Sequence, residues 1–348
     1  MSAAAAAGCD VVAADIFCDA ETRRDAIRAI PLRYANGGFD AGQVRQALLP
    51  LLTPDTGFAY GSGFESQPEL LDEIGQHCTL LGNTAQTVRI AKDPGHFFSL
   101  LAGLGIAYPE TSTLLPESPE GWLGKRSGGS GGTHVLPLPT ESTCDYYQRQ
   151  VPGRPCSLLF LANGNGAISA VGYNEQWLAA VPGMPFLYGG AVSQAALPEV
   201  VRAEMLDAAR RISAALGLRG LNSLDCMVDG ECVWVLEVNP RLSASFALYD
   251  AANAGARLFL AHLHACLGEL APELPPEPAR AHLIYYARSA WTVPAVMEWP
   301  EWVVDRPHGP LQVHTGDPLC TITAEAQHAE AARMRVLERA AELRRRFI

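Results

Sequence analysis

The chain has 348 residues, of which 48 % are hydrophobic and 18 % are charged, and its formal net charge is −11. This composition is typical of a globular protein, and the length exceeds that of one ordinary hydrophobic core, so we expect two or three packed units. Because the charge is negative and no basic stripe is present, neither nucleic acid nor an anionic membrane surface is an expected partner.

Residues 1–90 are predicted to form an α/β unit. The chain opens on an Ala-rich helical stub where a first strand would normally stand, so the unit lacks its usual first strand and its N-terminus looks incomplete. Strands and helices then alternate, which indicates a parallel sheet with helices on its faces. The predicted strands are 10–16, 57–60 and 78–83, and the predicted helices are 22–29 and 68–77.

Residues 91–270 are predicted to be mixed α+β. The turn at 163–166 (Asn-Gly-Asn-Gly) and the Asp229-Gly230 turn each indicate a β-hairpin, and Gly217 is predicted to end a helix. The predicted strands are 121–125, 146–151, 157–162, 167–173, 221–228 and 232–238, and the predicted helices are 97–103, 203–216 and 251–267.

Residues 271–348 are predicted to hold a linker, a β-rich segment and a terminal helix. The stretch 270–278 is rich in Pro and Glu, which is typical of a linker. Several short strands are predicted over 281–323 and a charged helix over 325–347. The sequence leaves open whether 281–323 covers a site or forms the surface of a homodimer.

Nine cysteines stand singly, without a CxxC pair, and an odd number cannot all pair within the chain. We therefore predict free thiols and a cytoplasmic location, where thiols stay reduced. No apolar stretch reaches about 18 residues and the start lacks a basic region, so neither a spanning helix nor a signal peptide is predicted.

Only two lysines, Lys92 and Lys125, stand beside 24 arginines. Where arginine serves as the general cation, a remaining lysine is a candidate for a site that needs a compact ammonium. Lys125 also lies within a glycine-rich stretch, 124–132, of the kind whose backbone N–H groups bind phosphate. The alternative is that both lysines are left over by chance.

Three oxygen-bearing side chains fall on the second predicted hairpin. Glu237 and Asn239 share one face of the return strand because side chains alternate along a strand, and the hairpin brings Asp225 beside them. Two carboxylates and an amide oxygen form a site suited to Mg²⁺ or Mn²⁺. The alternative is an ordinary hairpin with solvated acids.

Arg241 follows this hairpin, two residues after Asn239. A guanidinium there would lie near metal-bound phosphates and could neutralise the charge of an acyl phosphate or a tetrahedral adduct. The alternative role is a salt bridge that anchors the loop after Pro240.

Taken in order, these motifs resemble the ATP-grasp superfamily over most of the chain. The matching features are Lys92, Lys125 with its glycine-rich loop, the hinge at 147–153, and Asp225 with the Glu-Val-Asn-Pro-Arg stretch at 237–241. The resemblance implies an ATP-grasp fold at 91–270 behind a Rossmann-like pre-ATP-grasp domain at 1–90, with a small β-rich segment at 271–348. It implies ATP and Mg²⁺ as cofactors, with nucleotide contacts from Lys92, Lys125, Gly128, Gly129, Ser130, Gly131, Gly132, Gln148, Gln150 and Val151.

The hinge departs from the family pattern, because Gln148 and Arg149 stand where many members carry an acid beside adenine. A glutamine amide can still accept a hydrogen bond from the adenine amino group, and hinge contacts are largely made by the backbone.

The function that the resemblance implies is an ATP-dependent ligase working through an acyl phosphate. Lys125 and Arg241 are the expected catalytic residues, and the glycine-rich loop is expected to close over the phosphates. The alternatives are another acyl-phosphate or carboxylation reaction, and a nucleotide-binding regulator without turnover.

Further stretches, at 61–65, 81–83 and 239–245, resemble a compact branch described as ATP-dependent carboligases related to biotin carboxylase. Carboxylation of biotin is not expected, because the residues after Arg241 lack the His and acid of that enzyme and no third lysine could carry biotin. We expect small-molecule carboxylate and amine substrates, for example glutamate and a precursor of a one-carbon carrier cofactor. Ser62, Glu65, Ser243 and Ser245 are the candidate substrate contacts, each of which could equally be a turn or capping residue.

Overall fold

The computed structural model describes residues 1–35, 37–140, 143–249, 255–270 and 278–347. Within these ranges the chain forms an N-terminal α/β unit, a four-stranded small lobe and an eight-stranded sheet with helices on both faces. None of the helices in these ranges combines the length and the apolar content needed to cross a bilayer.

The N-terminal unit contains two separate pairs of parallel strands rather than the single sheet predicted. The predicted helix 22–29 is wrong in its second half, because Arg28–Pro31 pairs with Val12–Asp15 and this tertiary pairing overrides helix propensity. The helices are α1 Ser2–Ala6, α2 Ala20–Asp25, α3 Ala41–Leu48, α4 Glu69–Gly75 and α5 Ala85–Lys92; the strands are β1 Val12–Asp15, β2 Arg28–Pro31, β3 Tyr34–Ala35, β4 Gly38–Phe39, β5 Gly57–Ala59 and β6 Thr79–Leu81, with a 3₁₀ turn at Leu49–Leu51.

The small lobe is an antiparallel sheet in the order β7-β10-β8-β9, preceded by one helix. Asp93 begins that helix by accepting a hydrogen bond from the His96 N–H, as an N-cap residue does. The bounds are α6 Pro94–Gly103, β7 Thr111–Ser112, β8 Trp122–Lys125, β9 Val135–Pro137 and β10 Tyr146–Arg149. Because Lys125 ends β8 opposite Val135, the glycine-rich loop is the connection between β8 and β9.

The large lobe is one eight-stranded sheet in the order β15-β14-β11-β12-β13-β16-β20-β18. Both predicted hairpins are confirmed, and Gly217 ends α7 in the left-handed conformation, with φ 63°. The elements are β11 Arg154–Asn163, β12 Ile168–Leu178, β13 Tyr188–Ser193, α7 Glu199–Leu216, β14 Arg219–Asp229, β15 Cys232–Asn239, a 3₁₀ turn Ala244–Leu248, α8 Gly255–Cys266, β16 Ala279–Tyr286, β17 Trp291–Val293, β18 Val303–Val304, β19 Leu311–Val313, β20 Pro318–Ala326 and α9 Ala329–Phe347.

Because β13 pairs directly with β16, the C-terminal strands extend the same sheet across the predicted boundary at residue 270. The terminal helix was predicted to start at 325, but β20 continues to Ala326 by pairing with β16, so the helix starts at Ala329. The predicted linker at 271–277 and the start of the predicted helix at 251–254 lie outside the described residues.

Helices cover the large sheet on both faces. α6 and α7 pack on one face around Phe160 and Met205, while α8 packs on the other against Leu159 and Leu161. α9 packs over β16 and β20, where Val336 is fully buried. No disulfide joins any of the nine cysteines, all of which lie within the described ranges, as predicted.

Asn83 joins the N-terminal unit to the large lobe. Its amide nitrogen donates to the Pro240 carbonyl (2.9 Å) and to Asn222 Oδ1 (2.8 Å), and its oxygen accepts from the Arg219 N–H (2.8 Å). The Tyr60 hydroxyl donates to the Asn83 carbonyl at 2.7 Å. The buried Asn83 side chain therefore fixes the N-terminal unit against the segment that follows β15.

Candidate active site

The β14–β15 hairpin brings together the three side chains that the sequence assigns to a metal. Asp225 lies directly opposite Glu237, and Ser223 lies opposite Asn239. The Asn239 amide nitrogen donates to Asp225 Oδ2 at 3.0 Å and to Glu237 Oε1 at 3.4 Å. The predicted juxtaposition is therefore present, and the acids face one another instead of standing apart in solvent.

Lys92, the last residue of α5, contacts the same hairpin. Its Nζ donates to Glu237 Oε2 at 2.9 Å and to Asn239 Oδ1 at 2.8 Å, and its side chain is only 7 % exposed. Burial and the Glu237 charge raise the pKa of Asp225, whereas Lys92 outweighs burial at Glu237 and lowers the pKa of that carboxyl. Glu237 is thus ionised opposite the Lys92 ammonium, whereas Asp225 keeps its proton to a higher pH than an ordinary carboxyl.

Lys125, at the end of β8, is buried and its Nζ donates to Gln148 Oε1 at 2.6 Å. Burial lowers the pKa of Lys125 to about 8, so its ammonium gives up a proton more readily than an exposed lysine. His134, at the far end of the glycine-rich loop, is neutral at pH 7 because burial lowers its pKa to about 4. Both residues face the acidic hairpin across the cleft described below.

The glycine-rich loop contacts both of the units that flank it. A Cβ at Gly128 (φ 69°) would lie 2.8 Å from the Ser66 backbone, and one at Gly132 (φ 79°) would lie 1.8 Å from the Phe186 carbonyl. The Gly131 carbonyl accepts from the Tyr188 N–H at 2.9 Å. Positive φ and close backbone approach explain why only glycine fits at 128 and 132.

Arg241 forms a buried ion pair with Glu65 of the N-terminal unit, through its Nε and Glu65 Oε1. The other Glu65 oxygen accepts from the Gly63 N–H at 2.8 Å, and Arg241 Nη2 lies 3.4 Å from Asn239 Oδ1. Burial alone would raise the pKa of Glu65, but Arg241 holds it below its usual value, so Glu65 is ionised. Arg241 is thereby held with its guanidinium beside the acidic hairpin.

These elements surround a cleft of about 680 Å³ between the lobes, within the size range of small-molecule sites. Besides the acidic hairpin, eleven of the predicted site residues line it: Ser62, Lys125, Ser130, Gly131, Gly132, Gln148, Gln150, Val151, Arg241, Ser243 and Ser245. Lys92 and Gly128 instead line two further cavities, of about 20 Å³ and about 960 Å³; Gly129 lines the first, and Glu65, the ion-pair partner of Arg241, lines the second. We therefore expect Glu65 to position Arg241 and not to contact substrate.

The hinge residues Gln148 to Gly153 line the cleft. Gln148 is fully buried, with its oxygen bound to Lys125 and its nitrogen 3.3 Å from Thr111 Oγ1, so its side chain supports the lysine in this structure. The N–H groups of Arg149 and Gln150 are bound to the carbonyls of Glu110 and Gly121. Adenine contacts by Gln148, Gln150 and Val151 stay predictions.

The acidic hairpin fits a hard divalent cation. Asp225 and Glu237 offer carboxylate oxygens, whereas the Asn239 amide presents its nitrogen to them and its oxygen to Lys92 and Arg241. Asn239 would therefore offer an oxygen to a cation only if its amide turned and these two cationic groups shifted. Within the described residues no three His, Cys, Asp or Glu side chains form a metal-binding group, so a third protein ligand at this hairpin would be the Asn239 amide. When bound, Mg²⁺ would neutralise phosphate charge at this hairpin.

Sequence reasoning missed several residues that line or support the cleft. Gln176 on β12 donates to Asp225 Oδ1 at 3.5 Å, and Tyr188 on β13 lines the wall beyond it. Neither lies in a motif, and only the strand order of the large sheet brings them to the site. Asn83, which was noted only as part of a Leu-Gly-Asn stretch, proves to be the interdomain contact described above.

Residues 91–245 match the model of the ATP-grasp domain. This stretch holds the small lobe, Lys125, the acidic hairpin and the first five strands of the large sheet. The match confirms the ATP-grasp domain that the sequence predicts. No curated protein matches the chain in sequence.

Solved structures show the same fold over nearly the whole chain. Pyruvate carboxylase of Rhizobium etli superposes with a TM-score of 0.74 at 17 % identity, covering 97 % of this chain and 35 % of that one. The dimeric biotin carboxylase domain of Hydrogenobacter thermophilus 2-oxoglutarate carboxylase, in complex with MgADP and bicarbonate, gives 0.71 at 11 % identity, covering 96 % and 85 %. N5-carboxyaminoimidazole ribonucleotide synthetase of Thermus thermophilus gives 0.68 at 16 % identity, covering 98 % and 94 %. This chain thus spans about a third of the pyruvate carboxylase.

Proposed function

We propose that this ATP-grasp enzyme joins a carboxylate to an amine, using ATP and Mg²⁺ and forming an acyl phosphate on the way. The proposal rests on one observation: Lys125, the acidic hairpin and Arg241 all line the same cleft. These groups match the needs of phosphoryl transfer to a carboxylate, which depends on positioning and on charge neutralisation.

The reaction consists of two displacements. A carboxylate oxygen attacks the γ-phosphorus of ATP, the bond from that phosphorus to the bridging oxygen breaks, and ADP leaves. The amine nitrogen then attacks the acyl carbon, the carbon–oxygen bond to phosphate breaks, and the amine proton leaves with the inorganic phosphate. An amide or peptide-type bond forms, with ADP and phosphate as the other products.

We assign a role in this scheme to both lysines, the glycine-rich loop and Arg241. The Lys125 ammonium holds the phosphate that is transferred, and Lys92 balances charge behind the hairpin. The glycine-rich loop covers the phosphates and excludes water from the acyl phosphate. Arg241, fixed by Glu65, stabilises the oxyanion that develops on the acyl carbon.

Ser62, Ser243 and Ser245 are the proposed substrate contacts. Ser243 Oγ and Ser245 Oγ lie 2.8 Å apart beside Arg241 on the cleft wall, so they can share a hydrogen-bond acceptor such as a carboxylate. An amino acid such as glutamate is our first candidate for the carboxylate substrate, with a precursor of a one-carbon carrier cofactor as the amine.

Carboxylation is a second candidate, because the structural neighbours named above include two biotin-dependent carboxylases. Bicarbonate would then take the place of the organic carboxylate in the first displacement. A regulator that binds nucleotide without turnover is disfavoured, since the chain keeps both lysines, three metal ligands and Arg241 in contact with one another or with one cleft.

The test is an ADP-release screen that crosses organic carboxylates and bicarbonate with amines, followed by mass spectrometry of the products. We expect release only when a carboxylate and an amine are both present, and only with Mg²⁺ or Mn²⁺. The inactive control is Glu237→Ala, and the matched control is Glu231→Ala, an exposed acid at the tip of the same hairpin. Tight Mg-ATP binding without ADP release from any pair would support the regulator instead.

A further inference from the structure

One side of the cleft is an apolar wall, made of Leu178, Phe186, Tyr188, Ile284 and Tyr286. The wall brings together three strands, because β12, β13 and β16 lie side by side in the sheet. Leu178 is 51 % exposed, although large apolar side chains usually avoid such exposure in a concave site.

The two tyrosines of the wall offer carbon, not hydroxyl groups, to the cleft. The Tyr188 hydroxyl lies 2.8 Å from Nε2 of the buried His282, and the Tyr286 hydroxyl donates to the Tyr188 carbonyl at 2.8 Å. Both polar ends are therefore engaged within the protein. No lysine, arginine, aspartate or glutamate belongs to the wall, so it provides no anchor for a charged group.

The apolar wall starts close to the acidic hairpin and borders the glycine-rich loop, where the Tyr188 N–H donates to the Gly131 carbonyl and Gly132 lies against the Phe186 carbonyl. Gln176 donates to Asp225 Oδ1, and Leu178 lies two residues further along β12, about 7 Å along the strand and past a register irregularity at Trp177; all three residues line the cleft. The hinge residues and Met227 line the same cleft. A substrate whose reacting group lies beside the hairpin would therefore contact the apolar wall with another group, separated from the reacting group by about the length of one aromatic ring.

We propose that one of the two substrates carries an aromatic ring, and that this ring packs against the apolar wall while the reacting carboxylate or amine lies at the hairpin. Aromatic rings favour stacked or edge-on contact with tyrosine and phenylalanine, which suits the three aromatic members of the wall. This inference rests on the proposed ligase function, since it names the class of its substrate.

The turnover test compares substrates that differ only by a ring: phenylacetate against acetate, and benzylamine against methylamine, each with the partners found in the ADP-release screen. We expect the ring to raise kcat/KM at least ~10-fold in one of the two series, in line with the effect of burying an extra apolar group. Rates equal within two-fold in both series would overturn the proposal.

Substitutions in the apolar wall test whether it causes the preference for substrates with a ring. Leu178→Ser, at an exposed position, should fold and lose most of the ring preference with an unchanged KM for ATP. Tyr286→Phe keeps the ring and should retain the preference. The matched control is Leu115→Ser, since Leu115 is 65 % exposed and lies away from the cleft. A preference that survives Leu178→Ser together with Ile284→Ser would refute the assignment.

A binding measurement separates this inference from the proposed function. Benzylamine and phenylacetate are titrated calorimetrically into wild-type protein and Leu178→Ser without ATP. If a ring probe binds, Leu178→Ser weakens that binding, and no substrate pair releases ADP, the ligase function is refuted and the ring site is supported. If ADP is released without any preference for a ring, the ring site is refuted and the ligase function is supported.

Discussion

Replacing Lys125 by arginine tests the proposed phosphate site most directly. Lys125 is buried at the end of β8, with its ammonium 2.6 Å from Gln148 Oε1. Arginine keeps the positive charge but is longer and carries a planar fork that does not fit where a compact ammonium stands. The guanidinium must displace Gln148 or push into the glycine-rich loop, so the charge moves away from the transferring phosphate.

The expected loss in kcat follows from this displacement. Removing one preorganised electrostatic contact typically lowers kcat ~10²–10³-fold, or about 2.7–4 kcal/mol. Because Lys125→Arg retains the charge, we expect the lower end, a loss of at least ~100-fold. Lys92→Arg should show a smaller loss, and mainly in KM for ATP, since Lys92 lies behind the hairpin.

The assay measures kcat and KM for ATP by ADP release, with melting temperatures to confirm that each variant folds. Arg126→Lys is the matched control, because Arg126 is the exposed neighbour of Lys125 and the reverse exchange should leave turnover unchanged. If Lys125→Arg and Lys92→Arg both work at near-wild-type rates, the two lysines are an accident of composition and the phosphate role is refuted.

Three further predictions concern the metal, the nucleotide and pH. Glu237→Ala should abolish turnover far more than it weakens folding, with a lower melting temperature because it takes the carboxylate partner from the buried Lys92 ammonium, whereas Glu231→Ala should change neither; activity retained within a few-fold in Glu237→Ala would rule out the metal role. Mg-ATP should stabilise the protein by about 2.7 kcal/mol at 100-fold saturation, seen as a higher melting temperature, and an equal shift with GTP would argue against adenine recognition at the hinge. Burial lowers the pKa of Lys125 to about 8 in the free protein, so its ammonium is present below that pH and lost above it; the Kd for Mg-ATP should therefore weaken by about 5-fold between pH 8 and pH 9, and Lys125→Arg, which keeps its proton, should show a flat profile over that range.

The acidic hairpin could be predicted from sequence because its determinants are local. The Asp229-Gly230 turn sets the register, and alternation along the strands then places Asp225 beside Glu237. The end of α7 at Gly217 was predictable for a similar reason, since only glycine adopts that left-handed conformation at little cost.

Contacts between distant segments were beyond sequence reasoning. The Glu65–Arg241 ion pair joins residues 176 positions apart, and Lys92 reaches Glu237 over 145 positions, so both depend on how the N-terminal unit docks. Arg28 and Ala29, the first half of β2, were predicted as the end of a helix because the pairing of β2 with β1 is invisible to local propensity. The apolar wall likewise depends on β13 and β16 becoming neighbours.

The pairing of β13 with β16 determines how short a fragment of this protein can be while keeping its large sheet intact. A fragment of 91–245, the stretch recognised by its family model, would leave β13 as an open sheet edge that could pair with other chains. It would also leave the buried Arg241 guanidinium without the carboxylate of Glu65. The segment that matches the family model is therefore shorter than the segment that must stay together to keep the sheet edge paired and Arg241 in its ion pair.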